Sequence, residues 1–280
     1  MNLTQEERDS VLFYQGATSA ISPKPESLQA FYAIPNIYEL MNTFLFPGCA
    51  NERARFLMEH RTVNLTAINH MSELLLVYKQ LYQAMCKQTS PAVTRTYHTC
   101  RKDRINTLIY LKAGTFPSFC STSTSANISP AYRKKAGLLL LELLVPNTVP
   151  HLNFQKVFGA ANTKPDEQEI LFPPFLTARL QERRLTPKEA AFRDCNGEPP
   201  KAKYLIRLAE PTNRPLRPVT TDRILDPNRL NTVKQVLNTF QQGQTPTPEQ
   251  ETTYVQWKDD LQVYLAAQFQ NLRGVFQTKP

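Results

Sequence analysis

Apolar side chains recur every three or four residues in the N-terminal part of the chain, with breaks at Pro35 and at the FPG turn of residues 46–48. The clearest stretch is 66–86, where the repeat has the period of an α-helix. Its apolar positions are Ile68, Met71, Leu74, Leu75, Tyr78, Leu81, Tyr82 and Met85. A single stripe of this kind predicts a helix packed against a protein core.

The pattern changes after residue 90, where β-branched and aromatic residues alternate with polar ones or form short apolar runs. Such runs, bounded by proline, glycine and serine, predict β-strands. We predict strands within residues 93–100, 116–125, 137–145, 154–159, 169–175 and 203–211. The sequence of residues 105–114 predicts a short secondary-structure element that ends in a turn at Gly114.

Helical patterns return near the C-terminus, and two of them begin with clear start signals. In the first, Asp226 can cap the helix and Pro227 fits its first position. In the second, Thr247 and Gln250 have the spacing of a capping box around Pro248. We therefore expect two C-terminal helices.

This order along the chain, with helices first, strands next and helices last, is typical of an α+β protein rather than of a doubly wound sheet. We divide the chain into a polar lead-in (1–25), a helical region that belongs with the core (26–92), a mixed β core (93–211) and a C-terminal helical extension (212–280). From the pattern alone, the extension can pack on the core, bind a partner or restrain the activity of the protein.

Composition narrows the functional classes. The chain is 41% hydrophobic and 10% aromatic, so it can bury a sizeable core. With only 8 glycines, it has neither the GxGxxG nor the GxxxxGK[ST] phosphate-binding pattern. The net charge of +9 favours an anionic partner such as nucleic acid, a phosphate-bearing cofactor or an acidic surface, although basic charge also serves solubility alone.

The cysteines and the N-terminus bear on the compartment. Five cysteines, at positions 49, 86, 100, 120 and 195, lack metal-type spacing and predict free thiols in a reducing compartment. The polar N-terminus has no apolar signal core, and no apolar run reaches membrane-spanning length. We expect a monomer that needs no metal and no membrane, either cytoplasmic or exported without a conventional signal peptide.

The first candidate site is a pair of carboxylates, Glu167 and Glu169, just before an apolar run that ends in a double proline. Side chains two residues apart on a strand share a face, where like charges repel each other. Such a pair fits a solvated strand edge. It also fits a site in which one carboxylate faces a developing cation and the other holds a cationic or protic nucleophile.

Two upstream stretches carry further candidates. At a predicted strand end, Ser121, Thr122 and Ser123 can orient a carboxylate or the amide of a flat ligand. Before them, Arg95 and His98 can contact a pyrophosphate or a ribose hydroxyl. Because Arg95 and His98 are three residues apart, they face opposite sides of a regular strand, so we expect only one to serve unless a bulge intervenes.

In this order, the three blocks resemble the R-S-E signature of the mono-ADP-ribosyltransferases, in particular the arginine-specific ExE class. The FCSTS sequence at residues 119–123 matches the family's F-x-S-T-S strand, and residues 167–175 resemble its E-x-E block with the Pro-Pro-aromatic end. The first block departs from the family pattern, because Tyr97-His98 stands where the family carries an aromatic residue followed by arginine. We favour His98 at that position, with Arg95 as the alternative through a shifted register.

The resemblance implies an ADP-ribosyltransferase-like split β-sandwich that binds NAD, as a substrate, between two small sheets. It implies that Glu169 stabilises an oxocarbenium-like transition state as nicotinamide leaves. It further implies that Ser121 holds Glu169 and the ribose, and that Glu167 positions an arginine acceptor. The residues implied to contact NAD are His98 or Arg95, together with Ser121, Thr122 and Ser123.

We therefore expect an NAD–protein-arginine ADP-ribosyltransferase, whose partner is a target protein with an accessible arginine. The alternatives are an NAD glycohydrolase, transfer of ADP-ribose to nucleic acid, and a catalytically silent binding module that keeps the fold. The net charge would accommodate nucleic acid, but we do not favour it as the partner.

Overall fold

The computed structural model describes residues 2–17, 21, 26–32, 37–45, 65–88, 94–101, 105–116, 118–125, 137–159, 168–211 and 216–277. The chain divides into two compact units. Residues 87–212 form a β unit, whereas residues 2–86 and 213–280 together form a helical unit. The N-terminal helical region and the C-terminal extension, which the sequence pattern separates, therefore belong to one unit.

Most of the helices lie in the helical unit. In chain order, the helices of the described residues are α1 (Gln5–Tyr14), α2 (Ile37–Leu45), α3 (Thr66–Asn69), α4 (Met71–Cys86), α5 (Asn106–Leu111), α6 (Phe154–Phe158), α7 (Pro187–Ala190), α8 (Thr221–Ile224), α9 (Pro227–Gln241) and α10 (Pro248–Gln277), with a 3-10 helix over Glu26–Phe31. None of the helices in these ranges combines the length and the apolar composition needed to cross a lipid bilayer.

One sheet of eight strands forms the β unit. The strands are β1 (Thr94–Arg101), β2 (Ala113–Phe116), β3 (Cys120–Ser123), β4 (Leu138–Val145), β5 (Leu152–Asn153), β6 (Glu169–Phe172), β7 (Leu176–Arg183) and β8 (Ala202–Ala209). Their spatial order is β2-β7-β8-β4-β1-β3-β6-β5. Strands β4 and β8 run parallel, and the other neighbours run antiparallel.

The sheet is split between β1 and β3. These strands share one register pair, Tyr97 opposite Ser123, so a five-strand part and a three-strand part meet at a single point. Ile170 and Phe172 of the smaller part belong to the same buried cluster as Leu141 and Ile206 of the larger part. We call the side of the strands that carries this cluster the core face. Two sheet parts with a shared core confirm the predicted α+β class and the predicted split.

The helical unit joins its N-terminal and C-terminal helices through aromatic contacts. The helix predicted over 66–86 is present as α3 and α4, with a break at His70. The ring of Tyr82 in α4 stacks on Phe269 of α10 with a centroid distance of 4.2 Å. Phe44 of α2 meets Trp257 of α10 edge-on at 5.5 Å. The C-terminal extension therefore completes the core of the helical unit.

The predicted polar lead-in of residues 1–25 contains helix α1. Thr4 and Glu7 form a capping box at its start, which satisfies backbone N–H groups that the first turn leaves open. Val11 and Phe13 are fully buried, so the helix has an apolar side despite its many charges. Short helices of this kind are stabilised mainly by the packing of that side.

A buried carboxylate ties α8 and α9 to α10. Asp260 is 1% exposed and lies 2.8 Å from both the Nε of Arg223 and the Nη2 of Arg229, with Arg217 as a third ion-pair partner. Burial alone would raise the pKa of Asp260, but the hydrogen bonds from the three arginines outweigh it and hold the pKa below its ordinary value. A buried carboxylate is tolerated when it is paired in this way.

The predicted start signals of α9 and α10 are confirmed. The Asp226 side chain accepts a hydrogen bond from the Arg229 amide at 2.9 Å. The Thr247 hydroxyl accepts from the Gln250 amide, and the Gln250 side chain accepts from the Thr247 amide at 3.0 Å. Each cap satisfies donors that a helix otherwise leaves open.

Two predictions within the β unit are wrong. Residues 154–158 form helix α6 instead of a strand, because the Asn153 side chain caps them by accepting from the Lys156 amide at 3.0 Å. Gly114 lies inside β2, paired with Ala178, and not in a turn. A Cβ at position 114 would lie 3.0 Å from the side chain of Leu108, so the glycine gives the room in which α5 packs on β2.

The cysteines of the described residues are free thiols. Cys100 and Cys120 are buried, Cys86 is half-buried and Cys195 is exposed. The fifth cysteine, at position 49, lies outside the described residues.

Candidate active site

Strands β3 and β6 bring the second and third sequence blocks together. Their antiparallel register places Ser123 opposite Glu169 and Ser121 opposite Leu171. Because directly opposed side chains share a face, Ser121, Ser123 and Glu169 point to the same side of the sheet. There the Ser121 hydroxyl donates a hydrogen bond to Oε1 of Glu169. A neutral donor therefore fixes the position of the carboxylate.

Thr122 points to the core face. Its Oγ1 donates to the carbonyl oxygen of Ile170 at 3.0 Å, and the residue is buried. Thr122 therefore fastens β3 to β6. Ser123 is half-buried on the side of Glu169, where its Oγ accepts a hydrogen bond from the Ser125 amide at 3.0 Å.

The backbone immediately before Glu169 has an uncommon conformation. Gln168 has φ = 39°, in the left-handed region that costs a residue with a side chain about 1–2 kcal/mol. The amide of Thr124 donates to the Gln168 carbonyl at 3.4 Å, and the Thr124 hydroxyl donates to the Gln168 side chain. These bonds anchor Gln168 directly before the start of β6. The other carboxylate of the pair, Glu167, lies outside the described residues.

The register extends this face to the first sequence block. Tyr97 of β1 is directly opposite Ser123, so the two side chains point the same way. Arg95 is two residues before Tyr97 on the same strand and shares its side. We call the side that carries Arg95, Tyr97, Ser121, Ser123 and Glu169 the site face.

His98 lies on the core face. It is directly opposite Leu141 and two residues from Cys100, which are 2% and 5% exposed within the buried cluster. Strand β1 pairs with β4 without a break from Thr94 to Arg101, so no bulge brings His98 round to the other side. The structure therefore brings Arg95, and not His98, onto the face of Ser121 and Glu169.

Glu142 holds Arg95 from the neighbouring strand. The Nη1 of Arg95 lies 3.3 Å from Oε1 of Glu142, and the Nζ of Lys203 lies 3.4 Å from Oε2. The side chain of Glu142 is 15% exposed, whereas that of Arg95 is 61% exposed. A largely buried carboxylate thus anchors a guanidinium that remains open to a ligand.

Lys203 links this pair to a second carboxylate. It donates to Glu189 at 2.7 Å, and the Thr186–Glu189 capping box of α7 fixes that glutamate. Burial would lower the pKa of Lys203, but the hydrogen bond and charge of Glu189, with the charge of Glu142, outweigh burial and raise it. Burial would likewise raise the pKa of Glu189, but hydrogen bonds from Lys203 and Thr186 hold it below its ordinary value. Both shifts favour the charged forms of Lys203 and Glu189 at neutral pH.

Sequence reasoning misses Glu142 as a member of the site. The signal is present, because Glu142 is the single charged residue within the leucine-rich strand β4. A carboxylate at the centre of such a strand needs a cationic partner. The identity of that partner depends on the register with β1 and β8, which sequence pattern does not supply.

The surroundings of His151 are those of a structural residue. It is buried, its Nδ1 lies 3.2 Å from the carbonyl oxygen of Val149, and burial lowers its pKa. Within the described ranges, no group of three or more His, Cys, Asp or Glu residues is arranged to hold a metal ion.

The sequence matches no protein-family model and no curated protein. Among solved structures, the chain is similar to the ADP-ribosylating toxin BECa of C. perfringens with NADH, at 17% identity over 66% of this chain and 49% of the toxin, with a TM-score of 0.39. It is also similar to C3stau2 from S. aureus with NAD, at 13% identity over 75% of this chain and 99% of that one, with a TM-score of 0.40.

A third similar structure is the Salmonella SpvB ATR domain, at 14% identity over 66% of this chain and 100% of the domain, with a TM-score of 0.40. The chain thus spans about half of the length of BECa and the whole of the two shorter structures.

Proposed function

We propose that this chain transfers ADP-ribose from NAD to arginine side chains of a target protein and releases nicotinamide. The observation that carries the proposal is the hydrogen bond from Ser121 to Glu169 on the face that Arg95 shares. The order of these residues in the sequence, which resembles the R-S-E signature of the mono-ADP-ribosyltransferases, supports it independently.

We assign the pyrophosphate of NAD to Arg95. A guanidinium can donate to two phosphate oxygens at once, and that of Arg95 is open to solvent and oriented by Glu142. Ser121 and Ser123 are the hydroxyls proposed to contact the ribose and the nicotinamide amide. The role proposed for Thr122 is to hold β3 against β6. His98 remains the alternative to Arg95, and the register favours Arg95.

Glu169 is proposed to stabilise the charge that forms on the ribose. When the C1′–N bond of NAD breaks, its two electrons go to the nicotinamide ring, which leaves as a neutral molecule. The ribose becomes an oxocarbenium-like cation. A carboxylate that is already fixed beside the ring stabilises this cation without having to reorganise. The hydrogen bond from Ser121 would keep Glu169 in that position.

For the acceptor we propose Glu167, on the basis of the E-x-E resemblance. An arginine guanidinium stays protonated in water. Its nitrogen can form a bond to C1′ only as a proton is removed, so a carboxylate is needed to position the group and take the proton. A glutamate at this position therefore fits an arginine acceptor.

The substitution Glu169→Gln tests the central role. It keeps an oxygen that can accept from Ser121 but removes the charge, so we expect transfer to fall by about 100- to 1,000-fold. Labelled NAD and an arginine-rich acceptor protein provide the measurement. The matched control is Glu182→Gln, on an exposed glutamate of β7, and it should keep full activity.

Two results would contradict the proposal. Equal activity of the wild type and Glu169→Gln would remove Glu169 from the mechanism. A wild type that neither modifies the acceptor nor hydrolyses NAD, while still binding NAD in calorimetry, would identify a catalytically silent binding module.

Glu167→Gln tests the acceptor role separately. We expect it to abolish transfer to arginine and to spare most of the hydrolysis of NAD by water, because water needs no carboxylate to align a guanidinium. Released nicotinamide and labelled protein, measured in the same reaction, distinguish the two activities. Equal loss of both would show that Glu167 has no separate role toward the acceptor.

A further inference from the structure

Exposed arginines form a row across the site face. The register aligns Arg95 of β1 with Leu144 of β4, Leu144 with Arg207 of β8, and Arg207 with Arg179 of β7. Because aligned residues of neighbouring strands share a side, all four lie on the face that carries Ser121 and Glu169. Adjacent strands are about 4.8 Å apart, so the row extends roughly 14 Å from Arg95.

Arg207 and Arg179 are an unfavourable pair in the isolated protein. They are directly opposite each other on antiparallel strands, where like charges destabilise a sheet. Both are exposed, and within the described part of the chain neither side chain has an ion-pair or hydrogen-bond partner. Arg95 on the same face differs, because Glu142 compensates its charge. Arg207 and Arg179 are therefore available to an anion from outside the chain.

The shape of the row restricts the ligand. Two guanidinium groups side by side can bind carboxylates or phosphates by donating hydrogen bonds to their oxygens. Between them and Arg95 lies the half-buried side chain of Leu144, which offers an apolar contact and no charge. The row itself has no aromatic side chain on which a nucleic-acid base would stack, as single-strand binders usually provide. An acidic polypeptide segment fits this sequence of groups better than a nucleic acid.

We propose that Arg207 and Arg179 dock acidic residues of the target protein on the face that carries Glu169, four to five strands from that carboxylate, or roughly 20–25 Å at about 4.8 Å per strand. This inference rests on the proposed function. The acceptor is a cation, and the chain has a net charge of +9, so an acceptor arginine without acidic neighbours would be repelled. Carboxylates held by Arg207 and Arg179 reverse this repulsion and hold the target on the face that carries Glu169. The preferred substrate is thus an arginine in an acidic surface.

Two extended peptides with one arginine each test the inference. One carries aspartates and glutamates about six to eight residues from the arginine, a span of roughly 20–25 Å, and the other carries serine and glutamine at those positions. For Arg207→Glu we expect the KM of the acidic peptide to rise about tenfold, because an attraction becomes a repulsion. The KM of the neutral peptide and the rate of NAD hydrolysis should not change. The new glutamate is opposite Arg179, where the two form a favourable cross-strand pair, so the fold should be kept.

Arg184→Glu is the matched control. It changes the net charge equally at an exposed arginine just after β7, outside the row. An equal loss of affinity in this control, or an equal loss for the neutral peptide, would overturn the inference, because either would show a general effect of charge. A single-stranded oligonucleotide that binds through Arg207 and Arg179, with no preference for the acidic peptide, would overturn it in favour of a nucleic-acid surface.

Binding without turnover separates this inference from the proposed function. Fluorescence anisotropy of the labelled acidic peptide should give a Kd that rises with salt and rises about tenfold in Arg207→Glu. If this holds while no ADP-ribose is transferred, the docking surface stands and the proposed reaction fails. If transfer occurs but the acidic and neutral peptides bind alike, the docking surface fails alone.

Discussion

The two faces of strand β1 differ in what surrounds them, although they belong to the same eight residues. On the site face, Arg95 is exposed and held by a carboxylate of the next strand. On the core face, His98 and Cys100 lie opposite leucines of the buried cluster. Residues of one strand can therefore have unrelated surroundings, one open to solvent and the other packed in the core. The difference shows that register decides the surroundings of a residue more than its chemical type does.

Of the three substitutions that test this comparison, Arg95→Ala on the site face is expected to have the largest effect. Loss of a charged hydrogen-bond donor to the pyrophosphate should weaken NAD binding by about 10- to 100-fold. Thermal stability should change little, because the side chain is mostly exposed. Calorimetric titration with NAD and a melting curve of the same preparation measure both. A larger effect on melting than on NAD affinity would mean that the two faces do not divide the tasks in this way.

His98→Ala on the core face should give the opposite result. Removal of a half-buried ring beside Leu141 should lower the free energy of unfolding by about 1–2 kcal/mol. The affinity for NAD should change by less than about twofold, since a side chain on the other face makes no contact with the ligand. Urea unfolding and NAD titration test the pair of expectations. A tenfold weaker affinity for NAD would return the first-strand role to His98.

The smallest effect is expected from Glu189→Gln. It removes the carboxylate that pairs with Lys203 in the network of Arg95, Glu142, Lys203 and Glu189. At pH 7 it should cost about 0.5–1 kcal/mol, because the ion pair with Lys203 is partly exposed. The folded pKa of Glu189 is lowered, so its contribution is complete above the ordinary value of 4.5 and disappears as the pH falls through the lower folded value. Urea midpoints of the two proteins should therefore converge in acid. A constant difference between pH 7 and pH 3 would show that Glu189 acts by packing and not by charge.

Sequence patterns succeed where the local signal is strong. The caps at Asp226 and Thr247 and the apolar stripe of 66–86 identify helices that the structure contains. The strand-forming residues at 93–100 and the FCSTS stretch likewise lie where β1 and β3 are. In these segments, local preference and the final fold agree, and the prediction needs no knowledge of distant contacts.

Prediction from sequence fails where a partner far away in the chain determines the structure of a segment. Strand β7 is not identified from sequence, since the charges of QER at residues 181–183 obscure the alternation of Leu176, Ala178 and Leu180, which are buried. The sides of the sheet on which His98 and Arg95 lie depend on register in the same way. Which of them faces Glu169 is fixed by the single pair between Tyr97 and Ser123, and nothing local encodes that pair.

The helical unit is built from both ends of the chain, and this has a consequence for its biosynthesis. Phe44 and Tyr82 pack on Trp257 and Phe269, which are translated more than 160 residues later. At usual translation rates the delay is on the order of 10 s. During that interval the strands can already pair, while the first helices still present bare aromatic surface. We therefore expect a nascent chain of this protein to expose apolar surface that chaperones can bind until helix α10 has been synthesised.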